Sequence, residues 1–357
     1  METRILTNDA LTRKRWAKDL FALVLPAVEF NDLVGTGSDS IVQIRTELGK
    51  GEGDQITFGI RLPLSGDGVV GSAKIEGNEE ALRTRDFKMT IEELNHAVDT
   101  GGKMEEQRLP YNLMQEGKDG LQEWWAAKLS DYIINVLAGN SKFKIAGKIF
   151  GDAITEPDTT HFITPADVAE AALDVTASMT LDFLDRMKQR AEIGDIPNGI
   201  FKLRPVRING KNYYKVIMHN YVFDQLRKNT NVAQWGDLVR AAGKLAQANV
   251  EIEYNGMMIV KSERMPKTVD LGSNAGIYRT VMLGAQAACW AWGGAGESKS
   301  SVMAFVPYTR DAERFAMIRG GGIFGCKKVG FNTEKGGSTY IDYGVYTAAT
   351  YGAPISA

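Results

Sequence analysis

The sequence of 357 residues has little of the chemistry that builds metal sites and covalent cross-links. Its two cysteines, Cys289 and Cys326, lack the paired spacing of a disulfide framework or a zinc site, so both are expected to be buried, small apolar side chains in a reducing cytoplasm. Its three histidines, His96, His161 and His219, stand apart and form no two-histidine helix motif. That isolation favours structural or surface roles over metal binding.

Charge of one sign and long apolar runs are also missing. The 42 basic and 44 acidic side chains leave a net charge of -2, whereas a dedicated DNA-binding protein usually has a basic excess. The apolar residues 20–28 follow the basic residues 13–15 in the order of a secretion signal, but charged residues intervene and no A-x-A cleavage site follows. No window reaches the roughly eighteen apolar residues of a membrane span. Neither secretion nor membrane contact is expected.

Motifs of catalysis are weak or absent. Gly320, Gly322 and Gly325 spell G-x-G-x-x-G, but the strand-like CKKVGF follows where a dinucleotide site needs a helix. Residues 293–300 approach a phosphate-binding loop, except that Ser298 stands where the second glycine belongs. No G-x-S-x-G elbow is present. The sequence therefore predicts no enzyme, cofactor or metal site, with a cytoplasmic α+β enzyme of scattered site residues as an alternative.

The most informative stretch that is present, residues 49–108, predicts a long β-hairpin. Apolar residues alternate with polar ones in two runs, at Ile56, Phe58, Ile60 and Leu62, and at Phe87, Met89 and Ile91. About two dozen residues rich in Gly, Ser, Asp and Glu separate the runs, many more than the two to five of an ordinary hairpin loop. Because an isolated two-stranded ribbon is only marginally stable, this one needs another surface, which a second copy of the chain would supply.

A long helix is predicted directly after this hairpin, over residues 110–139. Apolar residues recur at three- and four-residue spacing between Pro110, which suits a first helical position, and Gly139, which suits a left-handed cap. At 1.5 Å per residue such a helix would be about 45 Å long. Gly117 lowers helix propensity and indicates a bend or a close crossing. The adjacent tryptophans in the helix favour core packing over a cofactor shelf.

The rest of the chain mixes helices and strands, which predicts an α+β fold. Helix starts are expected at Thr164 and Thr180, and Asn220 is expected to cap the next helix. Hairpins are expected around Asn209-Gly210, joining residues 204–208 to 212–219, and around Asn255-Gly256, joining residues 251–254 to 257–261. Single strands are predicted over residues 278–292, 314–319, 327–332 and 340–348.

Several of these segments, in this order, carry a resemblance to a known family. They are GKGEGD, ITFGIRLPLSG, EGNEEAL, LNHAV and EQRLP, then a tryptophan-bearing helix ending in LAGN, and downstream RPVRINGKNYYKVIMHNYVFDQLRKNT, IEYNGMMIVKSER, YRTVMLGAQA, GGGIFGCKKVGFN and YIDYGVYT. Together they resemble the major capsid proteins of tailed bacteriophages, in particular the group typified by the coat protein of the Escherichia phage called N-four. That group has the Hong Kong 97-type capsid fold.

The resemblance implies a division of the chain into five parts. These are an N-terminal arm over residues 1–48, an extended hairpin or E-loop over 49–98, a peripheral domain over 99–174 that contains the long spine helix, an axial domain over 175–305, and strands over 306–357 that return to the peripheral domain. The implied arm lies along neighbouring subunits. Periodicity alone equally allows residues 16–24 to form an amphipathic helix on the chain's own core.

The implied function is that of a coat protein that assembles as hexamers and pentamers into an icosahedral head around double-stranded DNA. The partners would be other copies of the chain, portal and scaffolding proteins, and in some phages decoration proteins. DNA would be packaged without sequence-specific contact. The protein would be assembled in the host bacterial cytoplasm and reside in the virion. No scaffold-like coiled coil precedes the arm, which makes a separate scaffolding partner the hypothesis. An encapsulin-like compartment that packages protein is the alternative within the same fold.

Charged residues of the hairpin are the predicted contacts between subunits, together with one aromatic residue of the arm. The residues are Arg61, Lys74, Glu76, Glu79, Glu80, Arg83, Arg85 and Trp16. Individually such ion pairs contribute little, but repetition around a closed shell can set register. Some related shells join a hairpin lysine to an asparagine of a neighbour. Lys74, Lys88 and Asn332 are the candidates here, although solvated side chains are the simpler interpretation.

Overall fold

The computed structural model describes residues 33–37, 39–45, 53–61, 68–72, 74–79, 84–108, 110, 112–165, 167–194, 202–208, 210–231, 235, 250–267, 276–294, 303–311, 314–332 and 340–354. The helices among them are α1, Lys103–Arg108; α2, Leu113–Leu137; α3, Leu181–Glu192; and α4, Asn220–Asn229, with a 3₁₀ turn at Glu170–Ala172. The first strands are β1, Val34–Gly35; β2, Val42–Arg45; β3, Gln55–Arg61; β4, Thr84–Thr90; β5, Glu92–Gly102; β6, Phe162–Ile163; β7, Val206–Ile208; and β8, Lys211–Met218. The later strands are β9, Ile252–Tyr254; β10, Met257–Lys261; β11, Ile277–Leu283; β12, Ala288–Trp292; β13, Met303–Arg310; β14, Phe315–Lys328; β15, Gly330–Asn332; β16, Tyr340–Asp342; and β17, Val345–Tyr351.

Two large sheets organise the described part of the chain. One has the order β1-β2-β12-β14-β13, with β5 paired to β14 as well, and the other has the order β6-β17-β11-β8-β10-β9, with β7 paired to β8. The chain crosses from the second sheet to the first after β11 and returns at β17. This mixture of helices and mainly antiparallel strands confirms the α+β class.

The long helix α2 packs on the first sheet and forms the centre of the main core. Trp125 of the helix meets Phe324 of β14, with ring centroids 6.0 Å apart, and Trp290 and Trp292 of β12 lie in the same cluster. All four side chains are nearly inaccessible to solvent. One face of the second sheet, including Leu283, also joins this cluster, so the two sheets share one core. Helices α3 and α4 cover the other face of the second sheet.

A side-chain cap and a glycine set the two ends of α2. Asn112 is the N-cap, and its Oδ1 accepts hydrogen bonds from the backbone N–H groups of Met114 and Gln115 at 2.9 and 3.2 Å. The helix therefore starts after Pro110, and the predicted first helical position of Pro110 is wrong. Gly139 follows the last turn with φ +66°, which confirms the predicted left-handed cap. The helix has 25 residues, or a length of about 38 Å.

A glycine on α2 allows the close crossing that the sequence indicated. A Cβ at Gly117 would lie 3.2 Å from Thr100 Cγ2 and 3.4 Å from Ile318 Cγ2. These two neighbours belong to β5 and β14, so the first turns of the helix approach the sheet closely here. The packing at Gly117 explains a residue that lowers helix propensity.

Two hairpins and one helix cap follow the prediction. Strands β7 and β8 pair across Gly210, and β9 and β10 pair across Asn255 and Gly256, which both have positive φ as a two-residue hairpin turn requires. The side chain of Thr180 caps α3 by accepting from the backbone N–H of Phe183.

Other local predictions are wrong, for identifiable reasons. The predicted helix start at Thr164 is wrong. The Thr164 hydroxyl donates to the carbonyl of Val168 within a turn, and in the described residues between this turn and α3 the only helical segment is the short 3₁₀ turn. Asn220 is the first residue of α4, and His219 is the cap, with Nδ1 accepting from the N–H of Tyr221 at 3.1 Å. The predicted strand over 278–292 is two strands in different sheets. In the tail, β14 is one continuous strand of 14 residues.

A buried ionic network ties the end of the first sheet to the second. Lys328 Nζ donates to Asp342 Oδ2 at 2.8 Å, and both side chains are almost fully buried. The N–H of Asp342 donates to Asp158, which also accepts from His161 Nδ1 at 2.9 Å. Burial raises the pKa of Asp158, but the hydrogen bond and charge of His161 outweigh that effect and hold the pKa well below its usual value. For Asp342 burial dominates and raises the pKa.

Candidate assembly surface

The predicted hairpin exists, and its base belongs to the core of the subunit. Strands β3 and β4 pair antiparallel from Gln55 opposite Thr90 to Arg61 opposite Thr84. At the base Ile56 is 8% exposed and Phe87 4%, and Met89 is fully buried. These side chains pack against the outer end of the first sheet and the β15 strand, including Phe331, whose ring centroid is 6.3 Å from that of Phe87.

Polar contacts and one glycine hold this base in place. Lys327 on β14 donates from Nζ to the carbonyl of Lys88 at 2.6 Å and lies 5.4 Å from the ring centre of Phe87. Asp152 accepts from the N–H of Thr90 at 2.9 Å. A Cβ at Gly325 would approach the carbonyl oxygen of Thr90 to 2.4 Å. The glycine is required where the hairpin strand crosses β14, which accounts for the last glycine of the G-x-G-x-x-G match without a nucleotide.

The described part of the hairpin tip, residues 68–72 and 74–79, has the opposite environment. Val70 is 89% exposed and Ile75 69%, the two highest values among the large apolar side chains of the described residues. The tip is nevertheless ordered by its own hydrogen bonds. The N–H of Asn78 donates to the carbonyl of Ile75 at 2.9 Å, and the N–H of Gly77 donates to Glu79 Oε2 at 2.8 Å.

Three of the predicted contact residues are placed at this tip. Lys74, Glu76 and Glu79 are all exposed there. The backbones of Arg61 and Arg85 lie in β3 and β4, two neighbouring positions of the ladder. The side chains of these two arginines lie outside the described residues, as do Glu80, Arg83 and Trp16. Lys74, Glu76 and Glu79 are therefore exposed to solvent at the tip, and their contact with another subunit stays a prediction.

The exposed apolar residues Val70 and Ile75 are not among the predicted contact residues, which are charged apart from Trp16. Val70 and Ile75 lie in a loop that is otherwise rich in glycine and acidic residues. Isolated exposed apolar residues are normal on protein surfaces. Two of them at the end of a projecting element, each more than two-thirds exposed, form an unusual arrangement that favours a contact with a partner.

A second feature, a groove between the two sheets, was also not predicted from the sequence. It encloses about 270 Å³ between residues of the segments 33–37 and 39–41 on one side and the strands β7, β8 and β10 on the other. Its lining includes the half-buried apolar residues Val34, Val206 and Ile208 and the exposed Arg207, and the buried Met258 and Lys215 lie beneath them. We call this feature the junction groove. An ion pair between Arg204 and Asp39 joins its two sides.

The histidines and cysteines serve the fold. His96 stacks on Trp124 with ring centroids 4.3 Å apart, His161 is buried against Asp158, and His219 caps α4. Both cysteines are buried and outside any disulfide, which confirms the expected burial, and burial raises the pKa of the Cys326 thiol. Within the described residues, no group of three or more His, Cys, Asp or Glu side chains could hold a metal ion. No helix in that part of the chain is long and apolar enough to span a membrane.

The fold is that of capsid subunits. The capsid of Ralstonia phage GP4 superposes with a TM-score of 0.78 over 100% of both chains at 21% identity. The capsid of cyanophage Pam1 superposes with a TM-score of 0.71 at 18% identity, over 92% of this chain and 93% of that one. The two sheets, the long helix and the hairpin therefore have the Hong Kong 97-type capsid fold.

The sequence places the chain within a family of that class. The family model described as phage capsid protein matches residues 4–353, so the chain belongs to the phage capsid protein family. A major capsid protein of Pseudomonas phage KPP25 is 32% identical over 137 residues, or 38% of this chain. That match spans 36% of the length of the curated relative.

Proposed function

We propose that this chain is the major capsid protein of a bacteriophage, which assembles as hexamers and pentamers into the icosahedral head that encloses double-stranded DNA. The observation that carries the proposal is the contrast along the hairpin. Phe87 at the base is 4% exposed and Val70 at the tip 89%, so the subunit anchors an element whose end it leaves uncovered. A covered tip requires another molecule, and a second copy is the partner that repetition in a shell supplies.

Many weak contacts would hold such a shell. A single exposed ion pair contributes about 0.2–1 kcal/mol, and burial of one aliphatic side chain about 1.5–3 kcal/mol. Each copy in a closed lattice makes the same contacts with several neighbours. Once one contact has formed, the others form at a high effective concentration, so no pair of subunits needs high affinity. No catalytic step is needed, and we propose a structural, non-enzymatic role.

The division into parts belongs to the same proposal. Residues 1–48 would be the arm, 49–98 the E-loop, 99–174 and 306–357 the peripheral domain, and 175–305 the axial domain that surrounds capsomer axes. The first sheet with α2 supports a peripheral unit, and the second sheet with α3 and α4 supports an axial unit. The shared core would couple the two as one subunit.

The partners beyond the chain itself are further proposals. Portal, scaffolding and, in some phages, decoration proteins would join the shell, and DNA would be packaged without sequence-specific contact. A net charge of -2 suits a container that does not bind DNA tightly. The protein would reside in the virion after assembly in the host cytoplasm. Efficient shell formation by the chain expressed alone would contradict the need for a scaffold.

Deletion of residues 63–83 tests the proposal. The full chain, expressed with its phage's scaffold where required, should give shells in negative-stain microscopy and elute as particles or capsomers in size exclusion. The deletion should leave a soluble subunit, because the base of the hairpin remains in the core. Without the tip, that subunit should not close into particles. Normal shells from the deletion would contradict the role of the tip, and a small defined oligomer from the full chain would contradict the capsid role. Protein cargo in place of DNA would indicate an encapsulin-like compartment.

A further inference from the structure

We propose that the loop after α2, residues 140–149, contacts the phosphate backbone of the packaged double-stranded DNA through the side chains of Lys142, Lys144 and Lys148. We call this segment the lysine loop. The inference rests on the proposed capsid function. It goes beyond that function by naming a segment of the subunit that would face the interior of the head and touch the DNA.

The lysine loop has a local excess of positive charge that the chain as a whole lacks. Residues 132–151 contain three lysines and no acidic residue, whereas the whole chain has a net charge of -2. All three lysines are exposed. Within the described residues none of them forms an ion pair, in contrast to Lys188, Lys261 and Lys327.

Three acidic residues follow the loop in sequence or contact its end, and each has another partner. Asp152 forms an ion pair with Lys327, with 3.4 Å between the carboxylate oxygen and Nζ. Glu156 accepts a hydrogen bond from the hydroxyl of Ser141 at 2.6 Å. Glu92 accepts from a backbone N–H at 2.6 Å. The three lysine ammonium groups are therefore left for a ligand from outside the subunit.

The fold holds the lysine loop in one shape. Phe143 and Ile145 alternate with the first two lysines and turn inward, with the ring centroid of Phe143 6.4 Å from that of Tyr132. The backbone N–H groups of Ile145 and Lys148 each donate to the carbonyl of the other residue at 3.0 Å, which closes the turn. Because a preorganised element loses less conformational entropy on binding than a flexible one, even weak contacts can be used.

The residue types in the loop favour a phosphate backbone over a protein partner. Lysine is depleted at protein–protein interfaces, where arginine and aromatic residues are enriched. A lysine ammonium is a compact charge that neutralises a phosphate without reading the bases. Single strands require exposed aromatic rings on which bases stack. Phe143, the aromatic residue of the loop, packs inward, so the loop suits a duplex of any sequence.

Each loop would supply a weak contact that depends strongly on salt. Neutralising three phosphates makes the logarithm of the binding constant fall with the logarithm of the salt concentration, with a slope of about -2.7. Repetition on every subunit of a shell multiplies such contacts along the packaged DNA. Weak contacts of this kind agree with a chain whose net charge gives no general attraction for nucleic acid.

Formaldehyde cross-linking of DNA-filled heads tests the contact directly. Formaldehyde joins a lysine amine to an amino group of a base only at close contact. After nuclease digestion, mass spectrometry should find nucleotide adducts on the three loop lysines and few on Lys202, Lys211 and Lys228, which are exposed elsewhere. Adducts no more frequent on the loop than on these controls would overturn the proposal. Coupling of the loop lysines to a neighbouring chain's carboxylates by a carbodiimide would also overturn it, by assigning the loop to a protein contact.

Removal of the charges provides a second test, with two variants that change the net charge equally. They are Lys142→Gln with Lys144→Gln and Lys148→Gln, and the control Lys202→Gln with Lys211→Gln and Lys228→Gln. Binding of a short random-sequence duplex to the unassembled full-length chain is measured by fluorescence anisotropy. Between about 50 and 200 mM salt, the affinity of the wild type should fall about fortyfold more than that of the loop variant. The control should follow the wild type.

Replacing the three loop lysines by arginine should preserve binding, because the charge remains. Equal salt dependence in the wild type and the loop variant, or no binding by the wild type at the lower salt concentration, would contradict the DNA contact. Both glutamine variants should still form shells, since the replaced side chains are exposed. If the wild-type chain forms no shells, the capsid function fails instead.

Discussion

The base and the tip of one hairpin place similar apolar side chains in opposite environments. Ile56, Phe87 and Met89 at the base are 8% exposed or less, whereas Val70 and Ile75 at the tip are 69% exposed or more. Burial of an aliphatic or aromatic side chain contributes about 1.5–3 kcal/mol wherever it occurs. At the base this free energy stabilises the subunit. At the tip it is available only on association, so one element separates folding from assembly.

Charged side chains follow the same contrast. Lys328 on β14 and Asp342 on β16, in the interior of the subunit, are buried and hydrogen bonded to each other. Lys74, Glu76 and Glu79 at the tip are exposed, and Glu79 accepts a hydrogen bond from the backbone N–H of Gly77 in the same turn. Base residues should therefore alter subunit stability, and tip residues should alter particle yield.

Removal of a large side chain at the base should give the strongest destabilisation. Phe87→Ala deletes a buried ring that packs on Phe331 and under Lys327, and should lower the free energy of unfolding of the isolated subunit by about 3–5 kcal/mol. Urea denaturation of unassembled subunits measures it. Val70→Ala is the matched control and should change the midpoint little. Equal effects of the two variants would remove the distinction between base and tip.

The buried ion pair between Lys328 and Asp342 provides the next test. Lys328→Ala leaves Asp342 buried without its cation and should cost about 3–5 kcal/mol, while Lys328→Met, which fills the same space, combined with Asp342→Leu should cost less than the single alanine change. Denaturant midpoints of the two proteins measure the difference. Arg314→Ala, which breaks an exposed pair with Asp311, should remain within about 0.5 kcal/mol of wild type.

Acid should weaken the cap of α4 by a smaller amount. Burial lowers the pKa of His219, an effect that Glu263 opposes and Lys267 reinforces. The neutral ring accepts from the N–H of Tyr221 and stacks on Tyr278. As the pH falls below the unfolded value of about 6.5, the unfolded chain takes up a proton that the folded chain resists, so stability is complete above that pH and declines below it.

His219→Asn isolates this contribution, because asparagine keeps a cap acceptor and does not titrate. Thermal unfolding between pH 7.5 and pH 5 should show a larger loss of stability in the wild type than in the variant, because only the wild type has a cap that titrates. Other titrating groups are common to both proteins and cancel in the comparison. Parallel pH profiles would show that the His219 cap does not titrate in this range.

The smallest effect on the subunit is expected at the tip. Val70→Ser with Ile75→Ser should change unfolding by no more than about 0.5 kcal/mol, since both side chains are already in solvent. Particle yield should nevertheless fall, as counted by microscopy. Val175→Ser with Ile193→Ser, at 65% and 58% exposure elsewhere, is the control and should leave assembly unchanged. A loss of subunit stability in the tip variant would contradict the separation.

Short-range patterns predicted the elements that depend on local chemistry. Alternation around Phe87 set the strands of the hairpin, and Asn255-Gly256 set a tight turn because both residues tolerate positive φ. The cap at Thr180 followed from its hydroxyl. The apolar run over 278–292 could not be divided in the same way. Both β11 and β12 are buried throughout, and their assignment to different sheets depends on partners more than 30 residues away in sequence, β17 and β14 among them.

The features of the candidate assembly surface also differ in whether consecutive residues or distant contacts determine them. The alternation that predicts the hairpin and the acidic composition of its loop are properties of consecutive residues, so both can be identified from the sequence alone. The junction groove brings together residues 33–37, 39–41, 206–208 and 258, and the exposure of Ile75 depends on which distant parts of the chain cover it. Local composition thus set which segments pair, turn and carry charge. Packing between distant segments settled which of them are buried, because burial is a property of neighbours in space and not of neighbours in sequence.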